Sequence, residues 1–194
     1  MQDPISTPIS IVKIARNGKA SALTDQQFQD LLNAAPSPKY RMLWALQRYT
    51  AARIGEALQV TWAATAGGRV TFLKATTKSK RTRQVSICPA LAAEIDRYRA
   101  TCLDVQPGHF LFHTDDSVTQ PMSRQAADKQ LRKTAALIGV EGISTHSFRR
   151  TAAQAAVDKG APLRHVMALT GHKSLGPLGE YLDASDSDVL ACLA

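Results

Sequence analysis

The sequence predicts a mainly α-helical fold carrying one small three-stranded antiparallel β-sheet, an α+β domain. Apolar residues recur with a helical period through most of the chain, from Phe28 to Leu169, and only between Gln59 and Ile87 does the period shorten to alternation. Gly, Pro and short-polar clusters separate these segments at the points where helices or hairpins must end. With 194 residues the chain fits one domain with short appendages and is long enough for a real core.

Residues 1–22 carry Pro4, Pro8 and the cations Lys13, Arg16 and Lys19, and read as a flexible or edge-pairing arm. The folded domain is expected over residues 23–182. Thr24 can cap a first helix with Phe28, Leu31 and Leu32 on one face. After a turn at Pro36 to Pro38, a second helix runs from about Lys39 to Thr50, with Met42, Leu43, Leu46 and Tyr49 inward. A short helical stripe follows in Ile54, Ala57 and Leu58, and it sets Arg53 and Glu56 one turn apart. A surface ion pair of that spacing is worth little. Buried, the same pair becomes a guanidinium fixed by Glu56 and aimed at an anion.

Val60-Thr61-Trp62, Arg69 to Leu73 and Arg83 to Ile87 read as the three strands, with Gly67-Gly68 as the first hairpin turn. Between the last two lies a basic tip, Lys78-Ser79-Lys80-Arg81-Thr82-Arg83, either a solvated turn or a grip on a polyanion's backbone. Pro89 opens a helix to about Cys102. Pro107 to Thr119 is loop with a brief strand, where His109 and His113 are a poor basis for a metal site. Ser123 caps a helix to about Ile138 that displays Arg124, Lys129, Arg132 and Lys133, a cationic face suited to a DNA groove. Residues 183–194 offer Val189, Leu190 and Leu193 for a short tail helix.

The chemistry-bearing stretch runs from Thr145 to Leu182. His146 and Arg149 share one side of an Ala-rich helix, with Arg150 beside them. Gly160-Ala161-Pro162 ends that helix and starts another, which Gly171 closes with His172 on the turn. The segment Leu175 to Gly179 is expected to be irregular, leaving Tyr181 on a tether. Taken singly, each feature has an ordinary explanation as a cap, a solvated face or a core aromatic. Together they read as phosphate chemistry, although spacing alone does not choose Arg149 over Arg150 or Lys78 over Lys80.

Lys and Arg number 24 against 16 Asp and Glu, a net charge of +8 that favours nucleic acid over a membrane surface as partner. No apolar run of spanning length and no leader-like segment occurs, so neither a membrane span nor secretion is expected. Cys88, Cys102 and Cys192 are three and widely spaced, which reads as reduced thiols in a cytoplasmic protein.

These residues resemble the catalytic domain of the tyrosine recombinases, the phage integrase family, over about residues 23–182. Ala51-Ala52-Arg53-Ile54-Gly55-Glu56-Ala57-Leu58 resembles the family's first arginine box, and Lys78 to Ile87 its lysine-bearing β-hairpin. His146-Ser147-Phe148-Arg149 is similar to the H-x-x-R box and Gly171-His172 to the G-H box, with Tyr181 nine positions later. Ala51 stands where a glycine is usual, Phe148 where an aliphatic residue is, Arg150 where histidine is, and Thr170 where leucine is common.

The resemblance implies Arg53, Lys78, His146, Arg149, His172 and Tyr181 as catalytic residues, Glu56 as support, and Lys80, Arg81, Arg83, Arg124, Lys129, Arg132, Lys133 and Arg150 as DNA contacts. It implies site-specific cleavage and rejoining of double-stranded DNA through a 3′-phosphotyrosyl link, with no cofactor and no metal. The expected assembly is a homo-oligomer, a tetramer on paired sites or a monomer without DNA, with accessory DNA-bending proteins as compatible partners and a nucleoid-associated cytoplasmic location. The alternatives are a non-catalytic DNA-binding regulator and a type IB topoisomerase-like relaxing enzyme. A natural single-domain enzyme, similar to the short fimbrial switch recombinases, and a fragment of a longer chain both fit.

Overall fold

The computed structural model describes residues 20–77 and 81–182. Helix α1 (Asp25–Asn33) starts from a reciprocal cap: the Thr24 hydroxyl accepts the Gln27 N–H at 3.1 Å, and the Gln27 side chain accepts the Thr24 N–H at 2.9 Å. Helix α2 (Pro38–Thr50) begins with a proline, whose fixed φ and missing N–H suit a first helical position. It buries Met42 through Gln47 without a break, because α1, α4 and α6 all pack around it. This central helix ends at Thr50 and leads through Ala51 into α3 (Ile54–Ala57).

The first expected strand does not form. Trp62–Thr65 is a 3-10 turn, and Thr61 makes a single antiparallel bridge to Phe110. The cause is local: Trp62 N–H donates to His109 O and Leu111 N–H to Val60 O, while the Trp62 ring stacks on Tyr98 at 5.7 Å. Small Ala63 and Ala64 then curl the backbone away after one rung. Gly67 and Gly68, both at positive φ, therefore turn from that coil into β1 (Arg69–Phe72) rather than joining two strands. Strand β1 pairs antiparallel with β2 (Arg83–Ser86), Val70 opposite Val85 and Phe72 opposite Arg83. Among the described residues the sheet has two strands, not three.

Helix α4 (Pro89–Arg99) packs on α2, and its buried Glu94 takes a two-pronged pair from Arg41 at 2.7 and 2.8 Å. Helix α5 (Arg124–Leu137) is capped by Ser123, whose hydroxyl accepts the Ala126 N–H. Helices α6 (Ser147–Asp158) and α7 (Leu163–Thr170) follow, each closed by a glycine at positive φ, Gly160 and Gly171. The segment expected to be irregular forms a one-turn helix, α8 (Leu175–Gly179). Pro177 sits third in that turn, where a helix has no internal use for the N–H that proline lacks.

Two cores result. The larger joins α1 to α6 and the sheet around Leu31, Leu43, Trp44, Phe72, Leu91, Phe112, Leu131 and Phe148. The smaller consists of Ala153, Val166 and Leu178, with Tyr181 and Leu182 packed against it. At the domain's entry Ser21 N–H donates to Gly142 O and Leu23 N–H to the Thr151 hydroxyl, so the described end of the expected arm is docked. The rest of the arm and the tail lie outside the described residues. No helix among the described residues is long and apolar enough to cross a membrane.

Candidate active site

The site begins where α2 ends. Ala51 takes the left-handed conformation, φ 52°, and the turn it makes delivers Arg53 to the start of α3. Glu56, 3% exposed, accepts the Arg53 backbone N–H at 3.2 Å and its guanidinium at 3.1 Å. Arg53 is thus clamped at its base while a quarter of its side chain stays open. A carboxylate this deep requires more than one cation, and Arg83 is the second, at 3.4 Å.

From α6 comes Arg149, which has no exposed surface. One of its amino groups donates to Ala51 O at 2.7 Å and the other faces His172 Nε2 at 3.2 Å. Its Nε is buried without a partner among the described residues. Burial, reinforced by the charge of Arg53, lowers its pKa to about 10, which still leaves it cationic at neutral pH.

Gly171 closes α7 in the left-handed conformation and turns His172 back toward α6. The proton on its ring is assigned by its neighbours. Arg149 can only donate, so Nε2 must accept; Nδ1 then donates to the Thr170 hydroxyl at 3.0 Å, which itself donates to Val166 O at 2.7 Å. Burial and then the charges of Arg149 and Arg53 depress His172 to about 4, so it is neutral at physiological pH.

Tyr181 arrives from α8. Its hydroxyl lies 3.4 Å from His146 Nδ1, its ring 5.1 Å from that of His172, and the Arg149 guanidinium 5.6 Å from its ring centre. His146 heads α6, where Ser144 and Ser147 exchange hydrogen bonds that fix the turn. The structure therefore brings Arg53, Glu56, His146, Arg149, His172 and Tyr181 to one place. Lys78 and Lys80 lie outside the described residues. At the neck of their hairpin the Thr77 hydroxyl donates to Arg81 O and accepts the Arg81 N–H, closing the loop's base.

The expected DNA contacts divide. Arg81, Arg124, Lys129, Arg132 and Lys133 are exposed, Arg132 paired with Asp128. The Arg124 guanidinium lies against Gly55, where a Cβ would clash with it, beside a polar hollow of about 400 Å³ that also involves Gln59, Thr76 and Ser123. Arg83 and Arg150 are not surface cations. Arg83 donates to Thr50 O, Leu169 O and Glu56, and Arg150, 6% exposed, donates to Glu180 O at 2.9 Å. Periodicity held the signal for both: Arg83 alternates with the part-buried Val85 and Ile87, and Arg150 lies one turn before the buried Ala153.

Residues 21–188 match the model described as the phage integrase family. The chain belongs to that family. The curated relatives of this phage integrase family member include the tyrosine recombinase XerC of Rhizobium meliloti, 30% identical over 141 residues, covering 71% of this chain and 43% of the relative. XerC of Brucella melitensis biotype 1 is 29% identical over 131 residues, 66% of this chain and 41% of the relative. The chain thus spans less than half the length of the curated relatives it matches. Among solved structures, the XerA recombinase superposes with TM-score 0.72 at 16% identity, covering 90% of this chain and 65% of the other. XerH bound to a palindromic difH substrate, a post-cleavage complex, gives 0.70 at 18%, covering 91% and 53%. A lambda integrase dimer bound to a COC′ core site gives 0.70 at 18%, covering 86% and 49%. At these identities the superpositions bear on the fold, a helical domain with a small antiparallel sheet.

Proposed function

We propose that the chain carries the cleavage and rejoining chemistry of a site-specific DNA recombinase working through a 3′-phosphotyrosyl intermediate. The observation behind this reading is the convergence of a tyrosine hydroxyl, a histidine within reach of it, and two arginines, Arg149 fully buried and Arg53 part-buried and clamped by Glu56, suited to hold a phosphate. Tyr181 Oη attacks the scissile phosphorus; a P–O bond to the phenol forms as the P–O5′ bond breaks. A phenol of ordinary pKa ~10 needs help to attack. His146, whose Nδ1 lies 3.4 Å from the hydroxyl, takes its proton.

Arg53 and Arg149 hold the non-bridging oxygens, where charge grows in the transition state. The Nε of Arg149, without a partner among the described residues, is a donor suited to such an oxygen. His172, neutral and with Nε2 directed at Arg149, orients that guanidinium and supports the phosphate once it is bound. Lys78 protonates the departing 5′-oxygen, a role that rests on the resemblance. The link conserves the bond energy of the phosphodiester, so rejoining by a 5′-hydroxyl is the reverse of the same step.

Double-stranded DNA is the substrate in this reading, supported by the net charge of +8, the exposed cations of α5 and the DNA-bound state of similar structures. A homotetramer on two paired sites is the working assembly, and integration, excision, inversion or resolution depends on how those sites are arranged.

The test is incubation with a nicked suicide duplex, followed by a denaturing gel and peptide mapping. A DNA-linked peptide containing Tyr181, absent from Tyr181→Phe while DNA binding persists, is expected. Covalent product from Tyr181→Phe would overturn the nucleophile, and binding without any adduct would favour a DNA-binding regulator.

A further inference from the structure

The basic hairpin suggests Arg83 as a DNA contact, and the geometry of its side chain contradicts that. The side chain is 13% exposed, with the guanidinium carbon 4.5 Å from the centre of the Phe72 ring, its partner across the sheet. One amino group donates to Thr50 O at 3.0 Å and Leu169 O at 2.6 Å; the other meets Glu56 at 3.4 Å. Those two carbonyls belong to the last turns of α2 and α7, which leave their final carbonyls without intrahelical partners and carry the negative ends of the helix dipoles. One buried cation therefore caps the ends of two helices at once.

The chain just beyond each helix supplies the site. Past Thr50 comes Ala51, which accepts Arg149, and then Arg53; past Leu169 come Thr170 and His172, joined by a hydrogen bond. Glu56, the third partner, clamps Arg53. Gly171, at φ 69°, makes the left-handed turn beside Arg83 that other residues adopt only with strain. Arg83 itself opens β2, directly after the hairpin that holds Lys78. Burial works against its charge and Glu56 works for it, as expected of a guanidinium retained for its fixed fork of donors rather than for attraction to solvent-side phosphates.

We propose that Arg83 is a positioning residue: it sets the distance between the Arg53 loop, the His172 turn and the base of the Lys78 hairpin, and makes no contact with DNA. This inference rests on the cleavage reading above. Arg83 acts through groups that touch the phosphate, and a displacement of about 1 Å among such groups costs roughly 100-fold in rate.

The experiment compares the full chain with Arg83→Gln and Arg83→Lys on the suicide duplex. Noncovalent affinity and its salt dependence are measured first, then the cleavage rate at saturating DNA, then the NMR titration of the His172 ring in the free protein. Both variants are expected to bind DNA with the wild-type salt slope. Cleavage is expected to slow roughly 100-fold in Arg83→Gln and roughly 10-fold in Arg83→Lys, which keeps the charge and some of the donors. The His172 midpoint should rise from about 4 as the end of α7 loosens.

A salt slope reduced by about one, with wild-type cleavage at saturation, would make Arg83 a DNA contact and overturn the proposal. So would wild-type cleavage in both variants, or equal loss in both with no rescue by lysine. Should Arg83→Gln fail to fold, Arg83→Lys decides. Absence of an adduct in the wild type would count against the cleavage reading alone, because the His172 titration still reports whether Arg83 positions that turn.

Discussion

The arginines and Tyr181 of the candidate site rest on very different amounts of buried structure. Arg53, Glu56 and Arg149 project from α3 and α6 where these pack on the large core, beside Leu43, Leu46 and Phe148, all fully buried. His172 and Tyr181 come from α7 and α8, held by a small cluster in which Ala153 of α6 packs against Val166 and Leu178. The two parts meet at this packing of Ala153 on Val166 and Leu178, and through the hydrogen bonds of Arg83 to Leu169 O, Arg149 to His172 and Arg150 to Glu180 O. This contrast predicts a rigid cluster of Arg53, Glu56 and Arg149 and a more lightly held Tyr181, the nucleophile of the proposed reaction, since the stability of a segment scales with the apolar contacts that hold it. Movement during the reaction is expected in α7 and α8, with α2, α3 and the start of α6 fixed.

The largest effect should come from breaking the small core. Leu178 has no exposed surface, and Leu178→Ala removes about 2–5 kcal/mol from a unit with little else to hold it. Hydrogen exchange should accelerate in α7 and α8 while α2 stays protected, and cleavage should fall roughly 100-fold through misplacement of Tyr181. A uniform loss of protection would show that the two cores unfold together. Arg150→Ala should act more mildly, by roughly 10-fold on cleavage, because it frees the Glu180 carbonyl beside Tyr181 but leaves Leu178 in place. Loss of DNA affinity with an unchanged cleavage rate at saturation would instead return Arg150 to the DNA surface.

The link between the halves can also be read through pH. His172 is depressed from 6.5 to about 4, so the unfolded chain binds its proton over that window and the folded chain does not. Its contribution to stability is therefore full above about pH 6.5 and declines as pH falls toward 4. Denaturant melts at pH 7 and pH 4.5 should show this decline, and His172→Gln should reduce it. A slope unaffected by His172→Gln would place the acid sensitivity elsewhere.

How much of the molecule is legible in the sequence divides along the same line. The H-x-x-R spacing puts His146 and Arg149 on one helical face, and Arg53 with Glu56 one turn apart, because local periodicity decides both. Capping at Thr24 and Ser123 is equally local. Arg83 and Arg150 look like surface cations in the sequence because a basic run looks solvated; periodicity puts each on a part-buried face, and contacts 30 or more residues away show their guanidinium groups spent on carbonyls. Trp62 departs from its expected strand for a related reason: its ring finds Tyr98, and its N–H finds His109, neither of them visible in the alternation around it. The composition of Leu175 to Gly179 argues against a helix, yet one turn forms, because proline in a first turn is tolerated.

The smallest effect is expected at the rigid end of the comparison. Ala51 is a non-glycine residue at positive φ, where the Cβ of an L-residue crowds the backbone by roughly 1–2 kcal/mol, and the resemblance places a glycine there. The strain has a use: the left-handed turn aims Ala51 O at Arg149, 2.7 Å away. Glycine holds that turn without strain but gives up more freedom on folding, so Ala51→Gly should stabilise the domain by a net ~1 kcal/mol. The thermal midpoint should rise by roughly 2–4 °C, with cleavage unchanged because the carbonyl keeps its direction. Ala51 is also fully buried, so destabilisation would mean that its methyl contributes more by packing than it loses by strain. Faster cleavage alongside the stability gain would show that the cradle is itself strained in the free protein, and that the contrast between a fixed half and a moving half is drawn too sharply at Arg149.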